Sequence, residues 1–182
     1  MIGGAGPRKL DLTKDSVLPA TAKQLWPVIT DVARWPAWFR DAHGQGLARA
    51  EKLPHQAGAV HASLPELGQR FRFAFTNGLE GEFKVTYWTF PSQISLGLVP
   101  DTRKESKGIE GFIIDCDLFP LPDGTTKLWF GALLLLEKGF RPSLVARWPK
   151  REVMGWVDGF HAHMLGEAQG AARGPEAEAA AR

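Results

Sequence analysis

The chain is poor in sulfur and in long apolar runs. It has one cysteine, Cys116, among 182 residues, so no internal disulfide can form. This composition suits a reducing compartment. The apolar segment Gly131–Glu137 is far shorter than the ~18 residues of a membrane span, and the first residues lack the apolar core of a signal peptide. We therefore expect a cytoplasmic protein with no membrane span.

A strong excess of one charge is also absent. Lys and Arg number 22 against 20 Asp and Glu, a formal net charge of +2, which offers no broad electrostatic surface to nucleic acid. The basic group Arg103, Lys104 and Lys107 is interpreted as an exposed, solvated turn. The sequence has no glycine-rich phosphate loop, zinc-ligand spacing or nucleophile elbow. We therefore expect no nucleic-acid partner, no metal and no cofactor, and most classes of enzyme are disfavoured.

Apolar residues, by contrast, are plentiful. They make up 44% of the chain, and a chain of this length can bury a core without disulfides or metals. We predict a single domain over residues 1–172 and a flexible tail over residues 173–182. Three of the seven tryptophans, Trp26, Trp35 and Trp38, fall within the segment Leu18–Phe39. Short helices with so much aromatic surface are expected to cover an apolar interior.

Local signals place a strand and two short helices at the start of the chain. Residues Arg8–Leu18 predict the first strand. Thr21 is expected to be the N-cap of the first helix, because Gln24 completes a capping box. Pro27 removes a backbone donor and should shorten or kink this helix. Asp31 is expected to cap the second short helix.

Alternating apolar and polar residues then predict antiparallel hairpins. Asn77–Gly78 marks the first turn. A three-residue loop, Asn77–Leu79, would place Phe73 opposite Phe83 and keep the apolar side chains on one face. The next hairpin brings Tyr87 onto the face of Ile94, Leu96 and Leu98 if its turn has an even number of residues. Across an odd loop at Pro122–Gly124, Phe112, Ile114, Cys116 and Leu118 meet Leu128, Phe130, Ala132 and Leu134.

The C-terminal segment has helical periodicity. Pro149 is expected in the first turn of a long helix. Gly155 and Gly159 each weaken this helix by roughly 1 kcal/mol relative to alanine, which suggests close contact with another element. The apolar stripe consists of Val153, Trp156, Val157, Phe160, Met164 and Ala168.

This order of elements resembles the START-like superfamily, also called SRPBCC or polyketide cyclase/dehydrase and lipid-transport proteins. The likeness spans about residues 8–170. Its most specific part is Leu18–Phe39, with a small-residue helix start, a tryptophan, an aspartate and a Trp-Pro-x-Trp ending. The segment that begins at Leu67 resembles the strand that follows in that superfamily. Pro27 and the long connection Leu53–Glu66 depart from the pattern.

The resemblance implies an α+β helix-grip fold. In this fold a curved antiparallel sheet wraps around a long C-terminal helix and leaves a cavity between them, with two short helices after the first strand. Members of the superfamily bind lipids, sterols, polyketides and other hydrophobic ligands, and some catalyse cyclisation or dehydration. The resemblance therefore implies a pocket and not a particular reaction.

Several polar residues invite chemical interpretations. His161 and His163 point about 200° apart on a helix, so they are interpreted as surface or flank residues and not as a metal pair. Asp115 and Asp117 share one side of a strand, opposite to its apolar residues, and are expected to face solvent. Cys116 is expected to point inward as a small core residue.

Tyr87 is the only tyrosine. By the alternation of its strand, it is predicted to point to the same face as the apolar residues. If it is buried, its hydroxyl needs a partner in the core or a ligand. We assign no catalytic residue. The residues predicted to line or simply to fill the cavity are Trp26, Trp38, Phe73, Phe75, Tyr87, Phe130, Trp156 and Phe160.

Three functions follow from the sequence. The first is the binding of a small hydrophobic ligand between the sheet and the C-terminal helix. The second is a cyclase- or dehydratase-like enzyme in the same cavity, with Tyr87 as the candidate proton donor or acceptor. The third is a protein-interaction module with a filled core and an exposed apolar patch. No sequence feature indicates an oligomeric state.

Overall fold

The computed structural model describes residues 8–54, 67–102, 109–136 and 147–180. The predicted turn at Arg103–Lys107 and most of the connection Leu53–Glu66 lie outside these residues. The strands are β1 (Arg8–Leu18), β2 (Leu47–Lys52), β3 (Arg70–Phe75), β4 (Glu80–Thr89), β5 (Gln93–Leu98), β6 (Ile109–Pro120) and β7 (Thr126–Leu136). The helices are α1 (Ala22–Thr30), α2 (Arg147–Ala180) and two 3-10 helices (Val32–Ala37 and Pro100–Thr102).

The seven strands form one antiparallel sheet, in the order β1-β7-β6-β5-β4-β3-β2. The apolar stripe of α2 is buried against this sheet, from Val153 to Ala168. The predicted helix-grip fold is therefore confirmed. None of the helices in the described ranges is both long and apolar enough to cross a membrane. α2 runs past residue 172, and the division into a domain and a flexible tail stays a prediction.

The start of α1 agrees with the capping box. The Thr21 N–H donates to Gln24 Oε1 at 2.9 Å, and the Gln24 N–H donates to Thr21 Oγ1 at 3.4 Å. Pro27 lies inside this nine-residue helix. The predicted cap at Asp31 is wrong: its side chain makes no capping hydrogen bond. The reason is its backbone, which has ψ near 65° and not the extended conformation that aims an N-cap side chain at the next amides.

The β3–β4 hairpin has the predicted odd loop, but the loop is Thr76–Gly78. Phe71 therefore lies opposite Phe83, and Phe73 lies opposite Gly81. The predicted register is wrong by two residues, although the inward face is preserved. A three-residue loop ends on a residue in the left-handed region, and Gly78 takes that place with φ +87°.

The β4–β5 hairpin overturns the prediction for Tyr87. The register shifts between Val85 and Tyr87, so Tyr87 pairs with Ser95. Three residues, not an even number, separate Thr89 from its partner Gln93. The bulge compensates for the odd turn by reversing the parity of the end of β4. Tyr87 is consequently half-exposed on the outer surface, at 50%.

The β6–β7 hairpin has the predicted pairing. Cys116 lies opposite Phe130, and Leu118 lies opposite Leu128. Cys116 is buried, and burial raises the pKa of its thiol well above the usual value. Asp115 and Asp117 fall on the other face of the strand, as predicted. Desolvation, with a smaller contribution from Asp115, raises the pKa of Asp117.

Candidate functional site

Most of the predicted ligand-binding residues lie inside the fold and contact other aromatic rings. Phe130 and Phe160 stack with ring centroids 3.9 Å apart, and Phe75 stacks on Trp156 at 4.9 Å. Trp38 packs edge-on against Phe160, also at 4.9 Å. At these points the side chains of the sheet and of α2 touch one another. These residues therefore fill the interior where they meet.

Two of the predicted residues lie apart from this group. Trp26 is buried under Trp88 and Phe90, at centroid distances of 5.1 and 5.9 Å. Tyr87 is on the outer surface, so the expectation that it faces the interior is wrong. Phe73 joins the main group through Trp35, at 6.2 Å. Six of the eight predicted residues therefore lie in one aromatic core, while Trp26 lies in a separate cluster and Tyr87 on the outer surface.

An open cavity of about 910 Å³ lies beside α2. One wall is the loop that follows the first 3-10 helix, at residues 40–43 and 45, and Asn77 of the β3–β4 turn forms another part. The remaining wall is one face of α2, formed by Arg151, Glu152, Met154, Gly155, Asp158, Gly159 and Ala162.

The loop wall is held by a network around Asp41. One carboxylate oxygen of Asp41 accepts hydrogen bonds from the N–H groups of His43 at 2.8 Å and Gln45 at 2.9 Å. The loop then rests on α2 at Gly155, where an added Cβ would lie 2.6 Å from the Cβ of Asp41. Gly159 is closer still, since an added Cβ there would overlap the backbone carbonyl oxygen of Arg40. The contact suggested by the two glycines is therefore confirmed.

Glu152 is the cavity residue with the most perturbed titration. Desolvation and, to a lesser extent, the nearby Asp41 carboxylate raise its pKa to about 7, against the opposing effect of a hydrogen bond from Asn77. A carboxyl group with a pKa near neutrality can give or take a proton at physiological pH. Glu152 therefore has the properties of a proton donor or acceptor, the role for which the sequence had suggested Tyr87.

Two residues that line the cavity, Arg40 and Glu152, carry buried polar atoms without a hydrogen-bond partner. Within the described ranges, six buried side-chain nitrogen or oxygen atoms have no hydrogen-bond partner, and three of them are Arg40 Nε, Glu152 Oε2 and Trp156 Nε1. Trp156 is 1% exposed. Trp35 shows the usual situation, because its indole N–H donates to the carbonyl of Ile29 at 3.0 Å. Buried polar groups are nearly always satisfied, so the unpartnered atoms of Arg40 and Glu152 make this cavity the candidate binding site.

Sequence reasoning missed Arg40, Asp41 and Glu152 as site residues. Arg40 and Asp41 follow a tryptophan-rich run and look like ordinary loop charges. Glu152 precedes the first residue of the apolar stripe and looks like a solvated helix position. The available signal was the pair Gly155 and Gly159, since two glycines four residues apart on one helix face admit another backbone.

The two histidines have different partners. His161 is 4% exposed, so it is a buried flank residue and not a surface one. Its Nε2–H donates to the carbonyl of Lys14 at 3.1 Å, and its Nδ1 accepts from the Ser16 hydroxyl at 2.7 Å. His163 stacks on Trp38 at 4.7 Å. No group of three or more metal-ligating side chains occurs in the part of the chain that the structure describes.

Solved structures with the same arrangement include several ligand-binding and enzyme proteins. The Zhui aromatase/cyclase from Streptomyces sp. R1128 has a TM-score of 0.61 and 14% identity, with 89% of this chain and 94% of that chain covered. Norcoclaurine synthase from Thalictrum flavum, in complex with dopamine and hydroxybenzaldehyde, has a TM-score of 0.62 and 10% identity, covering 91% and 89%. A START superfamily protein from Mycobacterium smegmatis has a TM-score of 0.55 and 14% identity, covering 87% and 93%.

These similarities concern the fold. No protein-family model and no curated protein matches the sequence. The chain has the helix-grip fold of the START-like superfamily, as the sequence resemblance implied. Function has to be argued from the chain's own residues, because one fold supports many functions.

Proposed function

We propose that the protein binds a small, mainly apolar molecule in the open cavity beside α2. The polar part of the molecule lies against Arg40 and Glu152, which line the cavity. The observation that carries this proposal is the open cavity itself, whose lining includes Arg40 and Glu152, each with a buried side-chain atom that lacks a hydrogen-bond partner. Ligand sites typically have volumes of roughly 300–1,000 Å³ and combine apolar walls with a few polar groups.

The apolar walls supply the affinity in this proposal. Ala42, Met154 and Ala162 line the cavity, and each Å² of apolar surface removed from water contributes about 25 cal/mol. The aromatic core behind the cavity keeps the wall rigid, since Trp156 is stacked on Phe75. The likeness in fold to a protein whose structure contains dopamine and hydroxybenzaldehyde also supports a small organic ligand.

Two measurements test the proposal. Native mass spectrometry of the purified protein should detect a co-purified small molecule or, after its removal, uptake of the apolar probe 1-anilinonaphthalene-8-sulfonate. Ala162→Trp should then raise the Kd of the probe at least about tenfold, because the indole occupies the cavity. Leu165→Trp is the matched control, since Leu165 lies on the same helix, is 41% exposed and does not line the cavity.

The outcomes separate the possibilities. Equal probe affinity in Ala162→Trp and Leu165→Trp would place the ligand elsewhere. A protein that neither carries a small molecule nor binds the probe would contradict ligand binding. It would favour the protein-interaction module, for which Phe90 and Phe119 supply exposed aromatic surface.

A second candidate function is acid–base catalysis in the same cavity. The raised pKa of Glu152, about 7, favours it. This is the cyclase- or dehydratase-like alternative with Glu152 in place of Tyr87. A suitable general probe is 5-nitrobenzisoxazole, whose ring C–H proton is taken by a carboxylate base as its N–O bond breaks.

The expected result is a rate that rises with pH through about 7 and is lost in Glu152→Gln. Asp115→Asn, on the outer face of the sheet, is the control and should leave the rate unchanged. A wild-type rate equal to that of Glu152→Gln would exclude catalysis by this residue and leave ligand binding as the remaining function of the cavity.

A further inference from the structure

Glu152 lies on the side of α2 that the loop wall of the cavity covers. Glu152, Gly155 and Gly159 are spaced three and four residues apart, so they lie on one side of the helix. Asp41 packs on Gly155, and the backbone of Arg40 packs on Gly159. Glu152 and Asp41 both line the cavity. Their carboxyl groups therefore lie at the junction between the loop wall and α2.

The carboxylate of Asp41 also holds the loop together. Its Oδ1 accepts from the N–H groups of His43 and Gln45, and the Asp41 N–H donates to the Gln45 carbonyl at 2.7 Å. The same carboxylate interacts with Glu152 as a nearby negative charge. A displacement of the Asp41 side chain away from Glu152 would free the amides of His43 and Gln45 and open the loop.

We infer that ionisation of Glu152 loosens the loop wall through Asp41 and thereby regulates how long a ligand stays in the cavity. The inference rests on the proposed function and adds a regulation of the same site. Protonated Glu152 carries no charge and does not repel Asp41. Ionised Glu152 is a partly buried like charge beside it, and an open loop relieves both the repulsion and the loss of hydration.

The sign of the pH dependence follows from the same residue. The pKa of Glu152 is raised from 4.5 to about 7 when the loop is closed, and an open, hydrated site returns the pKa towards its ordinary value. Opening of the loop is therefore accompanied by loss of a proton. The loosening should grow as the pH rises from about 4.5 to about 7 and should level off above that range.

Other charged groups border the same cavity. Of these, Asp41 is the one that raises the pKa of Glu152, and the β3–β4 hairpin contributes Asn77, which does not titrate. His43 is the one histidine of the set, so the test includes a variant at that position. The charged or titratable side chains that line the cavity with Glu152 are Arg40, Asp41, His43, Arg151 and Asp158.

Hydrogen exchange of the unliganded protein tests the loosening. The protection factors of the His43 and Gln45 amides should fall at least about tenfold between about pH 5 and pH 7.5. In Glu152→Gln they should stay constant, because glutamine still accepts from Asn77 but does not ionise. Two control variants should keep the fall seen in the wild type. They are His43→Gln and Glu167→Gln, the second on the same helix but outside the cavity lining.

Dissociation of an uncharged probe tests the regulation. N-phenyl-1-naphthylamine carries no charge in this pH range, so ionised Glu152 does not repel it directly. Its dissociation rate, measured by stopped-flow dilution, should rise at least about threefold over the same pH range in the wild type. The rate should stay constant in Glu152→Gln.

The outcomes separate this inference from the proposed function. Constant protection in the wild type, or an equal fall in Glu152→Gln, would overturn the inference. A fall that disappears in His43→Gln and persists in Glu152→Gln would assign the pH dependence to the histidine and also overturn it. Falling protection with a constant dissociation rate would overturn the regulation of the ligand.

Failure of ligand binding has a different signature. If neither this probe nor 1-anilinonaphthalene-8-sulfonate binds, the proposed function is overturned, while hydrogen exchange still decides the loosening. If Glu152→Gln does not fold, Asp41→Asn takes its place, because asparagine accepts from both loop amides without repelling Glu152. An undiminished fall in protection in that variant contradicts the inference.

Discussion

The backbone of Arg40 occupies the space that a side chain at Gly159 would need. A Cβ at residue 159 would overlap the carbonyl oxygen of Arg40 and lie 3.1 Å from the carbonyl oxygen of Trp38. The loop that forms one wall of the cavity therefore rests directly on α2. The position of Arg40 relative to Glu152 depends on this contact.

Gly159→Ala should accordingly destabilise the protein. Alanine favours a helix over glycine by about 1 kcal/mol, but here the overlap with Arg40 should outweigh that gain and lower the free energy of unfolding by about 1–3 kcal/mol. Gly166→Ala on the same helix is the control, because nothing lies within 4 Å of the added Cβ. Urea unfolding of both variants checks the signs, which should be opposite. Stabilisation by both would show that the loop does not rest on α2.

Acid should weaken the attachment of α2 to β1 through His161. Desolvation and, to a lesser extent, the charge of Lys14 lower the pKa of His161 to about 4. The negative charges of Asp158 and Asp15 act in the opposite direction and raise it. The unfolded chain therefore binds more protons than the folded protein between pH 6.5 and about 4. The free energy of unfolding should fall as the pH falls through that range, by at most about 3 kcal/mol.

His161→Gln provides the comparison for this pH dependence. Glutamine can still bond to Ser16 but does not titrate, so the difference in stability between the variant and the wild type should change with pH below about 6.5. A constant difference between about pH 7 and pH 4 would contradict the buried, neutral state of His161.

Glu152 should contribute a pH dependence of the opposite sign. Its pKa is raised from 4.5 to about 7, so the folded protein holds a proton that the unfolded chain has already lost. The free energy of unfolding should therefore fall as the pH rises from about 4.5 to about 7. Glu152→Gln should remove this contribution. Denaturant titrations of wild type and variant at several pH values measure it, and parallel curves would show that Glu152 titrates normally.

The two buried tryptophans should respond differently to the same substitution. Trp35→Phe leaves the Ile29 carbonyl without its donor, which should cost about 1 kcal/mol more than Trp156→Phe, where no hydrogen bond is lost. Both variants lose a similar volume of indole, so the difference isolates the hydrogen bond. An equal loss of stability would indicate that the Trp156 N–H has a partner in solution.

The bulge in β4 can be tested with a pair of alanine variants, at Trp88 and Tyr87. Trp88 is half-buried against Trp26, whereas Tyr87 is half-exposed. Trp88→Ala should therefore reduce the free energy of unfolding by about 2 kcal/mol or more, and Tyr87→Ala by less than about 1 kcal/mol. The reverse order in thermal or urea unfolding would contradict the bulge and support the regular strand that the sequence pattern predicts.

The faces of the sheet were predictable wherever the strands run without interruption. Phe71, Phe73 and Phe75 face inward because period-2 burial decides the register. Tyr87 could not be placed, since a bulge leaves no local pattern and its energy depends on the neighbouring strand. The cavity could not be predicted from the sequence either. The raised pKa of Glu152 and the lack of a hydrogen-bond partner for Arg40 Nε depend on contacts between residues that are distant in the sequence. Only the two helix glycines indicated where those contacts form.

The one-residue shift in β4 also affects how this chain should be compared with distant relatives. A regular strand presents its inward aromatic residue one position earlier than this strand does. An ungapped alignment would therefore match Trp88 with an outward position and treat a covered tryptophan as surface. A one-residue gap at Thr86 restores the correspondence at the end of β4. A correct sequence alignment across β4 therefore needs a gap inside a secondary-structure element, where gaps are normally penalised most.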